Sequence, residues 1–133
     1  MNEDLLPFIA GIKAGADMVM VAHLTMTEID KERPASLSAN VIKGLLRNDL
    51  GYDGVVITDG LGMGAVSGNY SADDIAVMAV QAGNDILLGP ENVSSAIKAI
   101  SNAVMNGTID ESRIDESVLR ILELKLERGI IDY

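Results

Sequence analysis

The sequence predicts an α/β protein built on a parallel sheet, and three observations carry that prediction. One design is used three times. GADMVMVAH from Gly15, GYDGVVITDG from Gly51 and GNDILLGPE from Gly83 each run glycine, any residue, aspartate, then an apolar stretch that closes on polar or glycine positions. Those apolar stretches do not alternate with polar residues, so both faces of each strand are expected to be covered, as in parallel sheets. The repeats begin 36 and then 32 residues apart, the length of one strand–helix–strand unit.

Helical patterns fill the intervals in order. An opening helix is expected over Asp4 to Ala14, ahead of the first strand. Ser38 is placed to cap a helix whose apolar face is Val41, Ile42, Leu45 and Leu46. The second strand, Val55 to Thr58, is followed by Ser71 and Asp74, which have the spacing of a capping box ahead of Ile75, Met78 and Ala79. After the third strand, Asn92 opens a helix with Val93, Ile97, Ile100 and Val104 on one face. Asp115 precedes a last helix carrying Val118, Ile121, Leu122 and Lys125, and Gly129 stops it. A glycine stands before each strand, where a helix-to-strand turn calls for positive φ. The order is α-β-α-β-α-β-α-α, with no linker or composition break, so residues 1–133 are read as one unit.

About three parallel strands with flanking helices leave open edges and an inner face toward water. A (β/α)8 TIM barrel takes about 250 residues, so the chain is expected to be a partial barrel, slightly under half of one. A homodimer or larger oligomer through the open strand edges is expected to complete it. A small doubly wound sheet, complete in itself, is the alternative that periodicity leaves open.

Composition excludes several classes. Acidic residues outnumber basic ones 20 to 10, for a net charge of −10, and no basic stripe appears, so no nucleic-acid partner is expected. The N-terminal MNEDLLPFIAGIKAGAD has neither a basic n-region nor a long apolar run, so no signal peptide and no membrane span are expected. The chain has no cysteine, which removes disulfides and thiolate metal sites and fits a reducing, cytoplasmic setting. No metal constellation is visible.

In parallel α/β proteins, ligands meet the C-terminal ends of the strands. Here those ends are Ala22-His23-Leu24, Thr58-Asp59-Gly60 and Leu88-Gly89-Pro90. Asp59 and the single histidine, His23, therefore share one rim, and Gly60, Gly62 and Gly64 keep the loop after Asp59 low. A helix-capping role for Asp59 and a structural hydrogen-bonded role for His23 remain open on these grounds. Asp17, Asp53 and Asp85 fall at the strand beginnings and are read as turn and cap residues. Met18, Met20, Met63, Met78 and Met105 are read most simply as core filler. The glycines of GLGMGAVSG lack the Lys-Ser/Thr pair of a P-loop.

Taken together, AGADMVMVAH, RPASLSANVIKGLLRNDLGYDGVVITDGLGMGAV, AVQAGNDILLGP and RIDESVLRILELKLERGIID resemble the C-terminal portion of the catalytic barrel of glycoside hydrolase family 3. The segment Thr-Asp-x-Leu-x-Met, with Gly60 where β-glucosidases more often have Trp, is most similar to the β-N-acetylhexosaminidase branch. The resemblance implies retaining hydrolysis of β-linked N-acetylglucosamine, with Asp59 as the nucleophile that forms a covalent glycosyl-enzyme. It places His23, Met20 and Met63 beside the substrate in binding roles, with Met63 packed beside the nucleophile loop, and it implies no cofactor.

That branch takes its acid/base from a His-Asp pair on a mobile loop, and its sugar-holding Lys-His motif lies on another strand end. Neither has a counterpart in the 133 residues. The chain alone is therefore expected to be inactive, since a missing general acid forfeits about 10² to 10⁴ in rate. A non-catalytic half-barrel module that docks a partner is the rival expectation.

Overall fold

The computed structural model describes residues 3–132. A short 3-10 turn, Glu3–Leu5, leads into helix α1, Leu6–Lys13, and then strand β1, Met18–Val21. A long loop ends in the 3-10 turn Ala35–Leu37 and the π-helix Asn40–Asp49. Strand β2, Val55–Thr58, is followed by the single-turn α2, Gly64–Ser67, then α3, Ala72–Ala82, α4, Val93–Met105, and α5, Glu111–Glu127. The sheet is parallel, with Met18 beside Val55 and Val21 beside Thr58.

Local chemistry explains most of these boundaries. Gly15, Gly51 and Gly83 take φ of 84°, 67° and 118°, so all three helix-to-strand turns use the left-handed conformation that favours glycine. Ser71 accepts a hydrogen bond from the Asp74 amide at 3.1 Å and donates to the Asp74 carboxylate at 2.6 Å, starting α3 as a capping box does. Asn92 caps α4 through the Ser95 amide at 2.9 Å, and Gly129 follows α5 with φ 64°.

Three details differ from the sequence expectation. The third strand shrinks to one bridge, Ile57 beside Ile86, so two strands stand where about three were expected. Side chains take over the ladder at both of its ends. The Asp85 carboxylate accepts the Val56 amide at 2.9 Å, and the Thr58 hydroxyl accepts the Leu88 amide at 3.0 Å. The helix after Ser38 is π-helical, with Leu50 N–H reaching the Leu45 carbonyl at 2.9 Å; Ser38 still accepts the Val41 amide at 3.3 Å. The last helix begins at Glu111 with Asp110 as its N-cap residue, a full turn before Asp115.

The first core cluster lies on one face of the sheet. Val21 and Val56 pack against Val41, Ile42, Leu46 and Tyr52, with Val19 partly buried beside them. A second cluster joins Leu37, Leu61, Val66, Ile75 and Ala79, and a third joins Val80, Ala103 and Ile109. The expected covering of both strand faces holds for β2, where Val55 and Val56 are both buried. It fails for β1, whose other face carries Met18 and Met20 at 41% and 55% exposure. Met63 and Met105 are also exposed, so of the methionines read as core filler only Met78 packs, partly buried, against a core cluster. Among the described residues, no helix is long and apolar enough to cross a membrane.

Asp85 overturns the reading of the strand-start aspartates as turn and cap residues. Its side chain is fully buried between Arg47 at 2.8 Å, Arg120 at 3.3 Å and Arg113 at 3.5 Å, and it accepts the Ser117 hydroxyl at 2.6 Å. Arg47 also donates to the carbonyls of Tyr52 and Gly54. Burial pushes the Arg47 guanidinium below its ordinary value, and Asp85 opposes that shift. Asp17, by contrast, is exposed and pairs with Arg128.

Candidate active site

The loops after β1 and β2 and the segment beyond Ile86 meet at the C-terminal end of the sheet. Asp59 follows the last residue of β2, and its amide donates to the Val21 carbonyl at 3.0 Å, which fixes it beside the end of β1. The chain then turns without needing positive φ at Gly60, Gly62 or Gly64. Space does not demand glycine at them either, since an added Cβ would meet nothing closer than ordinary van der Waals contact. A Cβ on Gly62 would sit 3.6 Å from the Gly89 carbonyl oxygen, and one on Gly60 would sit 3.6 Å from Met63.

The rim is tied together by backbone bonds. Leu61 N–H donates to the Leu88 carbonyl at 2.9 Å, and Gly62 N–H to the Gly89 carbonyl at 3.2 Å. Asp59 is half-buried. One of its carboxylate oxygens, Oδ1, accepts the Gly60 amide at 2.8 Å, and Oδ2 has no hydrogen bond from the described residues. A carboxylate with one oxygen anchored and the other free suits a group that must form a bond.

His23 lies at the same mouth, as expected from its strand position. Its Nε2 is 2.9 Å from the Gly60 carbonyl and its Nδ1 is 2.6 Å from the Ser36 hydroxyl. A carbonyl only accepts, so Nε2 carries the proton toward Gly60. Both ring nitrogens are thus engaged within the chain. Met63 packs its side chain over Gly60, beside the Asp59 loop. Met20 sits one residue before the end of β1, on its uncovered face.

Sequence reasoning missed Ser36 and Asn84, which are buried behind this mouth. Asn84 donates to the Ser36 and Ala79 carbonyls, each at 2.8 Å. Neither carries a local signal, since Ser36 lies in the mixed run RPASLSAN and Asn84 stands between Gly83 and Asp85. Asp30, in the loop after β1, accepts the Ser38 hydroxyl at 2.6 Å and the amides of Glu32 and Arg33. The Ser38 hydroxyl, with help from the Glu32 amide, holds the Asp30 carboxyl below the usual carboxylate range.

A groove of about 800 Å³ lies at the opposite end of the sheet, lined by Arg47, Arg113, Arg120 and Asp53 among others. Its arginines are engaged by Asp85, so it belongs to the stabilising end of the sheet. Among the described residues no group of three His, Cys, Asp or Glu side chains is arranged to hold a metal ion.

Known proteins share this fold. A β-N-acetylglucosaminidase of glycoside hydrolase family 3 from Paenibacillus sp. superposes with a TM-score of 0.91 at 47% identity, over 96% of this chain and 25% of that one. The β-N-acetylglucosaminidase from Thermotoga maritima superposes with a TM-score of 0.85 at 33% identity, over 92% and 28%. A β-hexosaminidase from Xylella fastidiosa is 42% identical over 106 residues, which is 78% of this chain and 31% of that protein. The chain thus spans under a third of the length of these relatives. With this likeness, the two parallel strands and their helices are part of a TIM-barrel-like α/β fold. Residues 1–124 match the profile described as "Glycosyl hydrolase family 3 N terminal domain", and the chain belongs to glycosyl hydrolase family 3.

Proposed function

We propose that this chain supplies the nucleophile-bearing part of a retaining β-N-acetylglucosaminidase site. The observation that carries the reading is the state of Asp59: it ends a parallel strand at the ligand-facing mouth, with one oxygen anchored and one free. In the first step Oδ2 bonds to the anomeric carbon as the glycosidic C–O bond breaks, and an acid protonates the departing oxygen. Water then attacks the same carbon while the conjugate base of that acid takes its proton, Asp59 leaves with its electron pair, and configuration is retained. Met20, Met63 and the carbon edge of His23 line the sugar side, while the His23 nitrogens hold the loop.

His23 does not supply the leaving group's proton, because both its nitrogens are already bonded within the chain, and the family's His-Asp acid has no counterpart in this sequence. Without such an acid about 10² to 10⁴ of rate is forfeited, so the chain acts as one part of a barrel and is inactive alone. Two assays with an aryl N-acetylglucosaminide test this. The purified chain is expected to show no turnover; robust turnover abolished by Asp59→Asn would overturn its inactivity and keep the nucleophile. Co-folding with a polypeptide carrying the preceding barrel strands of a family 3 relative is expected to restore hydrolysis. Restored activity that survives Asp59→Asn removes Asp59 from the mechanism.

A second reading rests on the uncovered face of β1. Its exposed Met18 and Met20, beside an edge with no strand partner among the described residues, favour association with another polypeptide, a second copy included. Size exclusion with light scattering at micromolar concentration is expected to show a dimer or larger. A well-behaved monomer counts against it.

A further inference from the structure

Behind the mouth, buried polar groups form a continuous line from α3 to the Asp59 loop. Asn84, 1% exposed, follows the turn after α3 and donates through Nδ2 to the Ala79 and Ser36 carbonyls. Its Oδ1 is buried with no partner among the described residues, so what this side chain contributes is its two donated bonds. They pin the turn Ala35–Leu37, in which Ser36 is fully buried and turns its hydroxyl to His23 Nδ1 at 2.6 Å. His23 Nε2 reaches the Gly60 carbonyl at 2.9 Å, and the Gly60 amide reaches Asp59 Oδ1 at 2.8 Å. Gly60 is therefore gripped at both its polar groups, one by the imidazole and one by the carboxylate itself.

We propose that Ser36 is a positioning residue for Asp59, acting through His23. The Ser36 hydroxyl donates to the Nδ1 lone pair, and so orients the ring whose Nε2–H holds the Gly60 carbonyl. The turn carrying Ser36 is anchored from behind by Asn84, which keeps the strut stiff without any group entering the mouth. The consequence for hydrolysis rests on the reading of Asp59 as nucleophile; the strut itself does not.

His23 is the only histidine in the chain, so its imidazole signals need no assignment. The test is a long-range proton–nitrogen spectrum of the ¹⁵N-labelled chain in mildly alkaline buffer. The wild-type ring is expected to be the Nε2–H tautomer, with the Nδ1 resonance displaced as for a hydrogen-bonded lone pair. In Ser36→Ala the Nδ1 resonance moves to the position of an unbonded nitrogen, and the Gly60 and Leu61 amide signals shift. Ser36→Thr, which keeps a hydroxyl, restores both.

An Nδ1–H ring in the wild type overturns the proposal, as does a Ser36→Ala spectrum with His23 and Gly60 unmoved. Should Ser36→Ala not fold, the wild-type tautomer and Nδ1 displacement decide alone. Loss of this signature leaves the Asp59 assays untouched, and failure of those assays leaves the strut standing.

Discussion

Two aspartates occupy opposite ends of one short sheet, and their surroundings have little in common. At the N-terminal end, Asp85 is fully buried among three guanidinium groups, a hydroxyl and a strand amide. At the C-terminal end, Asp59 is half-buried, with one oxygen anchored and the other free. A carboxylate that holds a fold together has its acceptor capacity filled by the protein. Asp59, which we propose for chemistry, has capacity left over, and its neighbours restrain its loop more than its charge.

The largest test of that contrast is Asp85→Asn. Removing the charge leaves three arginines packed against a neutral amide, and breaking buried pairing of this kind costs about 3 to 5 kcal/mol. Urea unfolding is expected to show a loss of that size or a chain that no longer folds. A loss below about 1 kcal/mol would end the distinction between the two ends.

Thr58→Val probes the joint between them. It keeps the shape of a fully buried residue but removes the acceptor of the Leu88 amide at 3.0 Å. The expected cost is about 1 to 3 kcal/mol by denaturant melt, with earlier hydrogen exchange at Leu88. Unchanged protection at Leu88 would show that this hydroxyl does not hold the third segment.

Tyr52 sharpens the stabilising end through pH. Burial pushes its phenol up to about 12 from an ordinary value of 10.0. A raised acid favours the folded state below pH 10, and that contribution is lost as pH rises from about 10 to about 12. The linked stability is on the order of 2 kcal/mol. Melts of the wild type across that window are expected to fall more steeply than those of Tyr52→Phe, and parallel curves would refute the assignment.

Asp59→Asn is expected to have the smallest effect on folding, within about 0.5 kcal/mol of the wild type. Its Oδ1 still accepts the Gly60 amide and Oδ2 has no bond to lose. A destabilisation comparable to that of Asp85→Asn would make Asp59 a structural carboxylate.

How much of this was legible in the sequence follows from where the partners lie along the chain. Ser71 meets Asp74 and Asn92 meets Ser95 three residues on, so both caps are visible as short patterns. The mouth was found because parallel strands share a direction, which puts His23 and Asp59 on one rim from order alone. The Asp85 hub was not found, since its Arg47, Ser117 and Arg120 partners lie 32 to 38 residues away. A lone aspartate before an apolar run looks the same whether it caps a turn or gathers arginines. The third strand was over-read for a similar reason: its apolar stretch is intact, but the backbone ladder holds only around Ile86, with the Asp85 and Thr58 side chains bonding the amides on either side.

The sequence by itself determined the glycine turns, the caps of α3 and α4, the parallel direction of the strands and the end at which Asp59 emerges. Those depend on backbone preferences of a few adjacent residues. Only the tertiary structure decided that Asp85 is an ionic centre, that Ser36 and Asn84 stand behind His23, and that one face of β1 carries exposed methionines. Each of those depends on which distant groups share a desolvated space. There, a hydrogen bond made or missed is worth more than any local propensity.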